Sequence, residues 1–182
     1  HEGPEDMLPF PHDLPIHLEQ KFGKKGLEIY DQLRKLFNNL YSTVVVNEKL
    51  VLIHGGFPSQ ATSLNDLAFA HKKHPQETYL QEMLWSDPSE EIKETQPSPR
   101  GAGRLFGNAV TERMLKMLGV KSMIRGHEFC PEGYKINHKG KILTLFSTNK
   151  PPYRNKKRAY LKLNLTKNIE NTKQLKQHIK QF

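Results

Sequence analysis

The chain carries a single cysteine, Cys130, so no internal disulfide is possible, and a lone thiol fits a reducing compartment. No apolar run approaches the ~20 residues that span a bilayer. The opening His1-Glu2-Gly3-Pro4 has neither the basic nor the apolar part of a secretory signal. A cytoplasmic protein without membrane contact is therefore expected. Apolar residues make up only 36% of the 182, and the mean hydropathy is −0.70, polar for a chain long enough to bury a full core. A segment of a larger domain has that composition. Acids are scarce late in the chain. Lys150, Arg154, Lys156, Lys157, Arg158, Lys162, Lys167, Lys173, Lys176 and Lys180 face Glu170 alone, and they account for much of the net charge of +9. Such a run reads as a solvated face. It is accompanied by no RNA- or DNA-binding motif, and Tyr153 and Tyr160 are too few for a stacking platform, so nucleic acid is not an expected partner.

Hydrophobic periodicity sketches the elements. Residues 4–15 are dotted with proline and read as an irregular loop. Leu27, Tyr30, Leu33, Phe37 and Leu40 recur at helical spacing, which predicts an amphipathic helix over 26–40. Thr43 to Val46 and Leu50 to Ile53 read as a hairpin turning at Asn47-Glu48-Lys49. Residues 63–83 are helical or mixed, and 90–99 form a polar connection that brings Arg100 round. Residues 107–118 show one apolar face and stop at Gly119, a helix with a C-terminal signal. A short strand over 120–124 follows, then a hairpin of 134–136 and 141–146 about His138-Lys139-Gly140. An edge strand is expected over 159–165, and 166–182 as a basic polar tail.

Two distant segments, Ile53-His54-Gly55-Gly56 and Arg125-Gly126-His127-Glu128, each set one histidine beside glycine after an apolar, strand-like run. A strand ending in Gly-His presents an imidazole at the rim of a sheet, and glycine lets a metal or phosphate approach the backbone. A single such histidine is usually a hydrogen-bonded structural residue; the pair suggests a split metal site. Their company along the chain is His1-Glu2, Leu84-Trp85-Ser86-Asp87-Pro88, Arg100-Gly101, Phe106-Gly107 and Thr144-Leu145-Phe146-Ser147.

In that order these signs resemble the second half of the catalytic domain of the phosphoprotein phosphatase family, within the calcineurin-like metallophosphoesterases. The resemblance covers residues 1–165. It implies an α/β sandwich of two mixed β-sheets flanked by helices, with the family's GDxHG and GDxVDRG segments lying upstream of His1. It also implies hydrolysis of phosphoserine and phosphothreonine in proteins by a hydroxide activated at two divalent metals. Manganese is the expected metal, with iron and zinc as alternatives, because imidazole and carboxylate ligands suit these ions better than magnesium. A phosphoprotein or phosphopeptide is the implied substrate, regulatory proteins are possible partners, and the 182 residues alone are expected to be inactive.

Carried onto this sequence, the resemblance makes His54 and His127 ligands of one metal. His1 becomes the general acid for the leaving alkoxide, and Arg100 a bidentate phosphate ligand of a kind that lysine cannot replace. Asp87 becomes an acid that orients active-site arginines, while Trp85 reads as core. Tyr153 is a further phosphate-binding candidate. It arrives two residues late, because Ser147-Thr148-Asn149-Lys150-Pro151-Pro152-Tyr153 stands where relatives have Ser-Ala-Pro-Asn-Tyr. Arg-Gly-His replaces Arg-Ala-His, which leaves the ligand position intact. His12, His17, His71, His74, His138 and His178 match no sign and read as surface residues. A diadenosine polyphosphate hydrolase or other phosphodiesterase on the same scaffold is the alternative enzyme, and a basic, non-catalytic binding module the alternative of another class.

Overall fold

A computed structural model describes residues 4–46, 48–166 and 171–182. The contacts divide it into two compact units, His1–Tyr41 and Ser42–Phe182.

The described part of the first unit is a helical hairpin of α1 (Leu14–Phe22) and α2 (Lys25–Phe37). The sequence reading left α1 within or just beyond a proline loop. Pro15 instead occupies the first turn of the helix, where its missing N–H costs nothing. Gly23, at φ +61°, makes the turn, and the backbone of Leu18 would collide with any side chain at Gly26, so the helices cross tightly there. Tyr30 is buried on α2, with its hydroxyl 2.9 Å from His12 Nε2, and Arg34 reaches Glu5 at 2.6 Å.

In the second unit, β1 (Thr43–Val46) and β2 (Leu50–Ile53) form the expected antiparallel hairpin; Asn47, expected in its turn, lies outside the described residues. Three short helices follow: α3 (Leu64–Ala68), capped by Ser63 and Asp66, α4 (Ala70–Lys73) and α5 (Tyr79–Trp85). A three-stranded sheet comes next, made of β3 (Asp87–Pro88), β4 (Thr95–Pro97) and β5 (Arg104–Phe106), with β5 central. Helix α6 (Asn108–Leu118) buries Val110, Met114, Leu115 and Leu118 and ends on left-handed Gly119. Strands β6 (Ser122–Arg125), β7 (Tyr134–Asn137) and β8 (Ile142–Leu145) complete a mixed five-stranded sheet ordered β1-β2-β6-β8-β7.

The direction of these strands decides where the chemistry can lie. β2, β6 and β8 are mutually parallel, with Leu52 opposite Ile124 and Ile124 opposite Leu143. Their carboxyl ends therefore open onto one rim, the usual place for a ligand in a parallel sheet. Val51, Met123 and Ile142 are fully buried on these strands. Leu50, Ile124 and Leu143 form another apolar cluster with Leu175.

Leu175 belongs to the stretch read from sequence as a polar tail. Thr172–His178 is a 3-10 helix that buries Thr172 and Leu175, and β10 (Ile179–Gln181) pairs antiparallel with β9 (Ala159–Leu161). The isolated apolar residues Leu175 and Ile179 are enough to dock it, because each lands on a prepared apolar cluster.

Candidate functional site

His54 follows β2 directly and His127 stands two residues beyond β6. Because these strands are parallel neighbours, the rim brings the two imidazoles together: their ring centroids are 5.2 Å apart, inclined at 66°. The Gly126 N–H donates to the His54 carbonyl at 3.1 Å, tying the two loops. His127 adopts a left-handed φ of +68°, uncommon for a residue with a side chain, which turns its ring toward His54 and the edge of Trp85. Trp85 is thus half-buried against His127 at 5.7 Å rather than a core residue. Gly55 is required by contact: a Cβ there would stand 2.6 Å from the backbone of Leu84, and its N–H donates to the Met83 carbonyl.

Asp87, on β3, is the electrostatic centre. One carboxylate oxygen accepts from Arg100 Nε at 2.9 Å, the other from an Arg125 Nη at 2.7 Å, and His127 Nε2 lies 3.9 Å from it. Burial alone would raise its pKa; Arg125, His127 and Arg100 outweigh that and hold the carboxyl below the ordinary range. Asp87, read from sequence as an acid that orients active-site arginines, contacts Arg100 and Arg125.

Arg125 was not singled out in the sequence, although a charge closing an apolar strand is a signal for a buried, paired guanidinium. Its side chain is fully buried. It donates to the carbonyls of Gly55 and Ser86, to Asp87, to Glu128 at 3.1 Å and to Thr144. It thereby joins the loop after β2, the start of β3, the loop after β6 and strand β8.

Arg100 is part-exposed. Its Nε is committed to Asp87, and its Nη nitrogens make no hydrogen bond among the described residues. Tyr153 lies in the loop after β8, stacked on Phe129 at 6.0 Å and edge-on to Phe146 at 4.9 Å. Phe129 follows His127 by two residues, so Tyr153 is tied to the segment that carries that histidine. Its stacking on Phe129 was not legible in the sequence. His1 lies outside the described residues.

Desolvation lowers the His127 pKa to about 3 and that of His54, which sits at the open rim, to about 4, with the Arg125 cation acting in the same direction on both. Both rings are therefore neutral at physiological pH, the state in which an imidazole lone pair can bind a metal. The pair fits part of a metal site. Among the described residues no group of three or more His, Cys, Asp or Glu side chains could complete it.

His138 departs from its surface reading. It is fully buried, its Nε2 donating to the Ser89 carbonyl at 3.0 Å and its Nδ1 2.8 Å from Thr111 Oγ1. Glu90 accepts from the His138 and Asn137 N–H groups, clasping the end of β7 to the segment after β3.

With this geometry, the comparisons with known proteins are decisive. A sequence model of calcineurin-like phosphoesterases matches residues 1–131. The chain belongs to the calcineurin-like phosphoesterase family. Among its relatives, a "Probable serine/threonine-protein phosphatase" of Encephalitozoon cuniculi is 34% identical over 151 residues, covering 81% of this chain and 32% of the relative. Serine/threonine-protein phosphatase 5 of Solanum lycopersicum is 36% identical over 137 residues, covering 69% of this chain and 24% of the relative. The chain thus spans about a quarter to a third of the length of these phosphoesterase relatives. A solved protein serine/threonine phosphatase from Saccharomyces cerevisiae, described as similar to human phosphatase PP5, superposes with a TM-score of 0.70 at 24% identity. It covers 92% of this chain and 53% of its own, and shows the same phosphoesterase fold.

Proposed function

We propose that the protein containing this chain is a metal-dependent phosphatase of phosphoserine and phosphothreonine in proteins, acting in the cytoplasm. The observation that supports it is the convergence of His54, His127, Asp87 and Arg100 on one rim, with both imidazoles neutral. Divalent metals, with manganese, iron or zinc suited to the ligands, supply a nucleophile at neutral pH and neutralise charge on the phosphoryl group when bound.

The chain's own residues divide the remaining work. His54 and His127 would hold one ion. Arg100, anchored through Nε by Asp87, offers its Nη nitrogens as a fork to two phosphate oxygens, and a lysine has no such fork. Tyr153, held by the Phe129 and Phe146 rings, adds a hydroxyl at the rim. His1 donates the proton that an alkoxide leaving group needs.

Turnover of a phosphoserine peptide and of p-nitrophenyl phosphate by the full-length protein with manganese tests the assignment. His1→Asn is expected to lower kcat on the peptide roughly 10²–10⁴-fold with metal content unchanged, and to matter less for p-nitrophenolate, which leaves without help. Equal losses on both substrates would remove His1 from the acid role, and absence of peptide turnover by the wild type would overturn the proposal. The 182 residues alone, whose described part holds two imidazoles of the site, are expected to turn over neither substrate.

A further inference from the structure

The antiparallel ribbon of β9 and β10 has two unlike faces. Ala159, Leu161 and Ile179 turn inward, Ala159 fully buried and the other two packed on the Leu50, Ile124, Leu143 and Leu175 cluster. By strand alternation the outer face carries Arg158, Tyr160, Lys162, His178, Lys180 and Phe182. The register sets these as three rungs. Arg158 and Phe182 exchange both backbone hydrogen bonds at 3.1 Å, Tyr160 is opposite Lys180, and the Lys162 N–H donates to the His178 carbonyl.

Side-chain contacts confirm the shared face. The Arg158 guanidinium lies 4.2 Å from the Phe182 ring centroid, and the Tyr160 and Phe182 rings are 5.9 Å apart. Tyr160 is 50% and Phe182 55% exposed, so ring surface is open to a ligand. Lys162 and Lys180 make no ion pair among the described residues, and residues 133–166 and 171–182 contain no acid. The sequence left nucleic acid aside because the tyrosines alone made no platform; the fold supplies the missing ring, Phe182, beside Tyr160.

We propose that the outer face of the β9–β10 ribbon binds single-stranded nucleic acid, Tyr160 and Phe182 stacking on bases while Arg158, Lys162 and Lys180 contact phosphates. Rungs two residues apart lie ~6.6 Å from one another along a strand, so rings and cations alternate at side-chain intervals along the face. A purely acidic peptide would use the cations and leave the rings idle; bases use both. The inference is independent of the hydrolase reading.

Fluorescence anisotropy of a fluorescein-labelled fifteen-nucleotide uridine oligomer, titrated with the chain between about 50 and 200 mM salt, tests it. Binding is expected to weaken steeply with salt, with a log–log slope lower by about 0.7 for each cation removed in Lys162→Gln and Lys180→Gln. Tyr160→Leu and Phe182→Leu, which keep apolar bulk, are each expected to weaken binding at least about fivefold with the slope unchanged. Two results on the unmodified protein would overturn the proposal: no binding at the lowest salt, or displacement of the oligomer by a glutamate-rich peptide of equal charge as effectively as by unlabelled oligomer. Wild-type affinity in both leucine variants would also overturn it.

Discussion

Replacing Arg125 by methionine removes the guanidinium that joins the site and keeps much of its volume. The structure sets the cost. Asp87 would retain only Arg100, whose side chain is 43% exposed, as a counter-charge, and the carbonyls of Gly55 and Ser86 would each lose a charged donor. Breaking one side of a buried ion pair costs ~3–5 kcal/mol, most of it the penalty of an uncompensated charge. Arg100→Met breaks a pair that water screens and should cost no more than ~1 kcal/mol. Urea unfolding followed by the fluorescence of Trp85, the only tryptophan, reports on this unit. Because the penalty resides in the orphaned Asp87, the double variant Arg125→Met/Asp87→Asn should be more stable than Arg125→Met alone. A loss below ~1 kcal/mol for Arg125→Met, or strict additivity in the double variant, would refute this account of how the rim is held.

Other expectations follow from single features. Burial lowers the His138 pKa, so the folded state favours the neutral ring; the unfolded chain takes up the proton first, and stability should fall as pH drops below ~6.5. His138→Gln should flatten that dependence by up to ~1.4 kcal/mol per pH unit, measured by unfolding at successive pH values; an unchanged slope would count against the buried neutral ring. A methyl at Gly126 would meet its nearest neighbours, His54 Nδ1 and the Leu145 carbonyl, at 3.9 Å, without a left-handed φ. Gly126→Ala should therefore raise stability by ~0.4–1 kcal/mol through the unfolded chain, and a loss would show a backbone demand not visible here. Burial lifts the Cys130 thiol to about 11, so iodoacetamide at pH 8 should leave it unmodified in the folded protein and alkylate it in urea; rapid native labelling would contradict this.

Much of the site was legible because its parts are local. A β-branched run ending in His-Gly-Gly and an apolar run before Gly-His foretold two strands with histidines at their ends. That the strands are parallel neighbours, which makes two histidines one site, is a long-range fact that no local pattern encodes. Asp87 was placed by motif, whereas its bridge between Arg100 and Arg125 depends on the three-stranded sheet meeting the rim. The stretch 171–182 read as a tail because polar and charged residues outnumber Leu175, Ile179 and Phe182, yet docking requires only Leu175 and Ile179 in register with a prepared cluster. His138 was misread for the same reason: Ser89, Glu90 and Thr111, which bury and satisfy it, are remote in sequence.

The central claim is that His54 and His127 bind one ion together. Imidazole nitrogen chemical shifts of the full-length protein during a titration with diamagnetic zinc measure it directly, because a nitrogen that binds the ion shifts strongly while an unbound neighbouring ring does not. His54 and His127 are predicted to shift in parallel, at the same ion concentration and ahead of the histidines remote from the rim, and His54→Ala is predicted to abolish the response of His127 and the reverse. A shift of one without the other, or an undiminished shift of His127 after removal of His54, would contradict it.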